Sequence, residues 1–114
     1  MNHPSVRILV VDDELTARLL MQATLEKSGF QVCLAANGED ALYQIRTHPC
    51  DLVMLDVDMP GMNGYQVCAQ LRQEMGSELP IVMVTGMDDH ESIEQAFSSG
   101  ATDFITKPIS WKLI

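Results

Sequence analysis

Leu52-Val53-Met54-Leu55-Asp56 is an apolar run that stops on a carboxylate, and Val57-Asp58-Met59-Pro60-Gly61 follows it directly. A run this short, partly β-branched and closed by Pro-Gly, predicts a buried strand entering a loop. Apolar residues on both faces are the mark of central strands in parallel sheets. Asp56 then stands at the strand's carboxyl end, the edge of an open α/β sheet where ligands bind. Aspartate also opens ordinary turns, so Asp56 alone decides nothing. What matters is whether other strands bring polar groups to the same edge.

Arg7-Ile8-Leu9-Val10-Val11 is a second short apolar run, and it ends on Asp12-Asp13-Glu14. A helix follows, with Ala17, Leu20, Met21, Thr24, Leu25 and Ser28 at helical spacing and Gly29 as its C-terminal cap. Acids at a helix start also complement the helix dipole, which would account for one or two of them without any site. Gln31-Val32-Cys33-Leu34-Ala35 reads as a strand and Asn37-Gly38 as a turn. Ala41, Leu42 and Ile45 form the apolar face of a short helix, and Pro49-Cys50 leads into the Asp56 strand. After Pro60-Gly61-Met62-Asn63-Gly64 a third helix puts Val67, Cys68, Leu71 and Met75 on one face, as core packing. Ile81-Val82-Met83-Val84 ends on Thr85-Gly86. Met87-Asp88-Asp89-His90 opens a fourth helix carrying Ile93, Ala96 and Phe97, capped by Gly100. Asp103-Phe104-Ile105-Thr106 is a last strand, ending on Lys107-Pro108, and Ser110-Trp111-Lys112-Leu113-Ile114 reads as the first turn of a truncated fifth helix.

Strands alternating with helices through short connections predict an α/β domain whose parallel sheet is covered on both faces through right-handed crossovers. Five strands in this length suit the flavodoxin-like, doubly wound order 2-1-3-4-5. In that order the first, third, fourth and fifth strands are neighbours, and their carboxyl ends carry Asp12 and Asp13, Asp56, Thr85 and Lys107. The second strand ends on Ala35-Ala36 at the far edge. Polar groups therefore collect at the switch point, a coincidence that separate turn and dipole roles do not explain.

The 114 residues allow one domain, spanning residues 1–114. A hydrophobic fraction of 46% is enough to bury a core, and 20% charged residues is an ordinary globular share. A formal net charge of −9 argues against nucleic-acid binding by this domain and is compatible with cations and basic partner surfaces. No leader peptide or membrane-length apolar run is expected from the sequence. Cys33, Cys50 and Cys68 are odd in number and lack metal-type spacing, which suggests free thiols and a cytoplasmic location.

Three carboxylates at one edge repel one another, and Lys107 supplies a single counter-charge. A hard divalent cation with oxygen ligands completes the balance, and Mg²⁺ suits one or two carboxylates plus waters and phosphate oxygens. Asp56 could then attack phosphorus and become an aspartyl phosphate, with Lys107 and the Thr85 hydroxyl sharing charge on the phosphoryl oxygens. Other nucleophiles are poor. No Ser-His-Asp arrangement suggests itself, and His3, His48 and His90 are isolated.

The chain resembles the receiver domain of two-component response regulators over essentially its whole length. The residues that carry the likeness are Asp12-Asp13, Asp56 within Leu55-Asp56-Val57-Asp58-Met59-Pro60-Gly61-Met62-Asn63-Gly64, Thr85-Gly86 and Lys107-Pro108, four motifs in order, each at a strand end. The resemblance implies a phosphorylation-controlled signalling switch rather than a dedicated enzyme. Asp56 accepts a phosphoryl group from a phosphohistidine on a sensor histidine kinase or a histidine phosphotransfer protein. Asp13, Asp56 and the backbone carbonyl of Asp58 ligate Mg²⁺, and Asp12 helps through water. Lys107 pairs with Asp56 and then with the phosphoryl group, and the Lys107-Pro108 peptide is cis. Thr85 and Phe104 are the switch pair, Phe104 standing where tyrosine is frequent. Asp58 and Met87 tune the phosphoryl lifetime. The surface of the fourth helix, fifth strand and fifth helix passes the signal to an output domain C-terminal to this chain, to a partner, or to a homodimer. A fifth helix of about one turn is too short to be stable alone, so the chain is expected to be the N-terminal part of a longer protein or a receiver lacking its usual dimer face.

Two other readings use the same residues. Asp56-Val57-Asp58 is also the core of the haloacid-dehalogenase phosphatase motif, which forms an aspartyl phosphate as well, but those enzymes carry it on their first strand in a longer chain. A phosphorylation-independent docking module would not need the complete set of acids, threonine and lysine.

Overall fold

The computed structural model describes residues 6–86 and 90–107. The chain runs β1 (Arg7–Val11), α1 (Leu15–Lys27), β2 (Gln31–Ala35), α2 (Gly38–Thr47), β3 (Leu52–Asp56), α3 (Gly64–Met75), β4 (Ile81–Thr85), α4 (His90–Ser98) and β5 (Asp103–Thr106). The strands form one sheet in the order β2-β1-β3-β4-β5, and every pairing is parallel. This is the flavodoxin-like arrangement expected from the alternation of apolar runs and helical stripes. The fifth helix, Met87 and the Lys107-Pro108 peptide lie outside the described residues.

Each strand is apolar on both sides because both faces are covered. On one face Leu9, Val11, Val53, Leu55 and Met83 pack with the stripes of α2 and α3 and with Ala96 of α4. On the other, Ile8, Val10, Met54 and Val84 meet Met21 and Leu25 of α1. Fully burying a side chain of this size contributes roughly 1.5–3 kcal/mol, so these rows outweigh the modest helix propensities of the segments above them.

The helices start where local chemistry tells them to. Asn37 accepts from the Asp40 N–H at 2.8 Å and opens α2. Asn63 and Gln66 form a reciprocal capping box, Asn63 Oδ1 accepting from the Gln66 N–H at 3.0 Å and Gln66 Oε1 from the Asn63 N–H at 2.9 Å. A cap of this kind contributes about 1 kcal/mol and fixes the residue at which α3 leaves the loop after Asp56. Gly29, at φ +98°, takes the left-handed conformation that ends α1.

Three apolar residues of the expected helical stripes are not buried. Leu20 is 58% exposed, because the buried stripe of α1 is Met21 and Leu25, and a position one residue away is rotated by about 100° around the helix. Met75, the last residue of α3, is also exposed and lines an open cleft with Ile45 and Leu79. Phe97 is exposed and meets the ring of Phe104 edge-on, with centroids 5.9 Å apart. Cys68 is buried, Cys33 and Cys50 are half-buried, and all three are free thiols.

Candidate functional site

Strand register brings the polar residues level. Val11 pairs with Leu55, so Asp12 and Asp56 are next to each other at the ends of adjacent strands. Asp56 pairs with Val84, and Thr85 pairs with Thr106, the residue before Lys107. Asp12, Asp56 and Thr85 are the buried polar residues among those described, at 2%, 3% and 5% exposure, while Asp13 is exposed. One carboxylate oxygen from each of Asp12, Asp13 and Asp56 lies within 4.8 Å of the others.

Lys107 enters this cluster from the neighbouring strand. Its Nζ donates to Asp56 Oδ1 at 3.1 Å and lies 3.5 Å from Asp12 Oδ2. Its backbone N–H donates to the Thr85 carbonyl at 2.7 Å, which anchors the lysine to the end of β4. Asp12 Oδ1 accepts from the Glu14 N–H at 3.0 Å, but Asp12 Oδ2 is buried with no hydrogen bond.

The electrostatics follow from this geometry. Loss of water pushes the Asp56 carboxyl up to about 6; the Lys107 hydrogen bond pulls it down, and the Asp12 charge adds to the rise. Burial lowers the Lys107 ammonium, but its bonds and charge attraction to Asp56 and Asp12 outweigh that, and the net direction is upward. One lysine is therefore shared between two buried acids with a third beside them. An oxygen-only donor set with surplus negative charge, in which the buried Asp12 Oδ2 makes no hydrogen bond, is chemically suited to a hard divalent cation.

Asp58 is exposed, and its backbone N–H bonds to the Asp56 carboxylate. Phe104 is half-buried and pairs with Met83 across β4 and β5. Two further residues shape the site without having been assigned a role in it from the sequence. Gly64 lets α3 press against the strand end: a Cβ there would sit 2.5 Å from the Asp56 carbonyl oxygen and 2.8 Å from Val57 Cα. Arg18 of α1 donates from Nη1 to the Asp12 carbonyl at 2.8 Å. An arginine one helical turn after a run of acids is the only sequence hint of that contact.

Fold and site together define an open parallel α/β domain with an acidic, lysine-bridged cluster at its switch point. The chain belongs to the response regulator receiver domain family, whose sequence model matches residues 8–114. It is 43% identical over 104 residues to the alkaline phosphatase synthesis transcriptional regulatory protein PhoP of Bacillus subtilis, covering 91% of this chain and 43% of that protein. It is 38% identical to the transcriptional regulatory protein ResD of the same organism, covering 91% of this chain and 42% of that one. The chain thus spans well under half the length of these curated relatives. Among solved structures, the chemotaxis protein CheY4 of Vibrio cholerae superposes with a TM-score of 0.89 at 30% identity, covering 94% of this chain and 90% of that one. As a receiver domain it is a module of two-component signal transduction. The haloacid-dehalogenase alternative, which needs its motif on the first strand, does not fit a chain that carries the motif at the end of β3. No helix of the described residues is long and apolar enough to cross a membrane.

Proposed function

We propose that this domain is a phosphorylation-controlled switch in which Asp56 is the phosphoacceptor. The observation that carries the reading is the Lys107 Nζ placed 3.1 Å from Asp56 Oδ1 and 3.5 Å from Asp12 Oδ2 at the end of the central strand. An Asp56 oxygen attacks phosphorus of a phosphohistidine on a sensor kinase or a phosphotransfer protein. The phosphorus–nitrogen bond breaks, the imidazole leaves with the bonding pair, and an acyl phosphate remains. Lys107, already aimed at the reacting carboxylate, holds the transferred oxygens, and the Thr85 hydroxyl at the end of the next strand is placed to accompany it. Asp13, Asp56 and the Asp58 carbonyl would hold Mg²⁺ directly and Asp12 through water. Bound there, the ion would neutralise the carboxylates and the phosphoryl oxygens.

The phosphoryl group adds about 1.5 to 2 negative charges. Drawing Thr85 toward them frees space for Phe104 to turn inward, which biases the surface of α4 and β5. PhoP and ResD are named as transcriptional regulatory proteins; we read the output here as an attached domain, a separate partner or a second copy of the chain. Hydrolysis of the acyl phosphate by water resets the switch, with Asp58 and Met87 setting its lifetime.

The test is incubation with acetyl phosphate and Mg²⁺ followed by intact-mass measurement. We expect a phosphate-sized gain that EDTA prevents and Asp56→Ala abolishes. Labelling that persists in Asp56→Ala would put the chemistry on another residue. No labelling of the native chain would favour the docking-module reading.

A further inference from the structure

The acidic turn is tied to α1 by a side chain that the phosphoryl chemistry leaves without a role. Arg18 is half-buried, and its Nη1 donates to the carbonyl oxygen of Asp12 at 2.8 Å. That oxygen belongs to the peptide joining Asp12 to Asp13. The Asp12 N–H already donates to the Ala35 carbonyl at 3.1 Å, and Asp12 Oδ1 accepts from Glu14. Glu14, the N-cap of α1, contributes no side-chain cap of its own. The Arg18 bond therefore adds the side-chain anchor that the helix start lacks, and it sets the plane of the Asp12–Asp13 peptide. Rotating that peptide would carry the exposed Asp13 carboxylate out of the cluster while leaving the buried Asp12 in place.

We propose that Arg18 is a positioning residue for the divalent-cation site, acting through the Asp12 carbonyl to hold Asp13 in ligating range. The proposal rests on reading Asp12, Asp13 and Asp56 as the cation site. A plain charge-balancing arginine is the competing explanation, and the two differ in sign. Removing a positive charge beside a cation site strengthens cation binding by Coulomb's law, whereas loosening a group that orients ligands weakens it, by 10- to 100-fold in well-studied metal sites.

The experiment is titration calorimetry with Mg²⁺ alone, in the absence of any phosphodonor, on the native chain, Arg18→Met, Arg18→Lys and Asp13→Asn. Arg18→Met is expected to weaken Mg²⁺ binding by roughly fivefold, the orienting loss exceeding the Coulomb gain. Arg18→Lys keeps a donor of similar reach and is expected to return binding to within about twofold of the native chain. Mg²⁺ binding by Arg18→Met that equals or exceeds the native chain's would overturn the proposal. Should the methionine variant fail to fold, Arg18→Gln is read by the same sign. Native-like Mg²⁺ binding by Asp13→Asn would instead overturn the cation-site reading beneath it, so the two failures are told apart.

Discussion

At the amino-terminal edge of the sheet, Arg72 donates from Nε to the Gly100 carbonyl at 2.7 Å, from Nη1 to the Leu79 carbonyl at 2.6 Å, and from Nη2 to Thr102 Oγ1 at 3.2 Å. Thr102 Oγ1 accepts in turn from the Ile81 N–H at 3.0 Å, and Asp51 Oδ2 accepts from the Arg7 N–H at 2.8 Å. At the carboxyl-terminal edge, one lysine is divided between Asp56 and Asp12, and Asp12 Oδ2 has no hydrogen bond at all. The same strands carry both edges, and the core between them is continuous. One edge spends its polar groups on closing the fold, with each donor meeting an acceptor. The other leaves like charges facing each other and a carboxyl lifted to about 6, a pattern typical of sites that await a ligand.

Substitutions that remove closing hydrogen bonds or disturb close packing should cost stability, whereas relieving the charge on Asp56 should add it. The largest effect is expected from Arg72→Ala. It strips a charged donor from three carbonyls, those of Gly76, Leu79 and Gly100, and from a hydroxyl, and urea unfolding should show a loss of roughly 3 kcal/mol or more. Gly64→Ala comes next. The new Cβ meets backbone rather than a yielding side chain, so a loss of about 2 kcal/mol is expected, together with slower acetyl phosphate labelling as α3 is pushed off the end of β3. A Gly64→Ala protein that labels at the native rate would show that this close approach matters to packing alone.

Asp56→Asn should act the other way. The folded-state pKa of Asp56 is raised from 3.8 to about 6, so the folded form binds the proton more tightly than the unfolded chain. Stability from the protonated carboxyl is fully present below the unfolded value and is lost as pH rises through about 6. At neutral pH the cation-free protein is then about 3 kcal/mol less stable on this account. The neutral amide should recover about 1–2 kcal/mol of it, less than the whole because Lys107 loses a partner. Melts in EDTA at pH 7 should show a higher midpoint for Asp56→Asn, with the advantage disappearing near pH 4. An equal or lower midpoint at pH 7 would remove the argument that the site is strained. The smallest effect is expected from Arg46→Ala, whose ion pair with Glu74 bridges α2 and α3 on the surface. Exposed pairs of this kind contribute little, and its midpoint should barely move.

What the sequence made legible follows the same division. Five apolar runs, each ending on Asp, Thr, Lys or Ala, place every strand and predict which edge collects the acids, because a strand's end is written in consecutive residues. Helix faces were harder. Leu20 and Met75 fit a helical stripe, yet periodicity does not say how wide a stripe the sheet can cover, and α1 buries only Met21 and Leu25. The contacts of Arg18, Arg72 and Gly64 were hard to read for a different reason. Their partners are mostly backbone atoms, which every residue possesses, so no pairing of residue types announces the contact.

The position of Lys107 in the chain has a consequence for how the domain is made. Its partner Asp56 lies 51 residues earlier, and Asp12 earlier still. A chain emerging from the ribosome amino-terminus first presents β1, β2 and β3 long before β5, and domains begin to gain structure during synthesis. Throughout that interval Asp12 and Asp56 stand side by side on β1 and β3 without the lysine that bonds one and lies close to the other. The sheet grows outward from β3 through β4 to β5 in the order of synthesis, and the counter-charge arrives on its last strand. The carboxyl edge therefore gains its counter-charge only after all five strands have been synthesised.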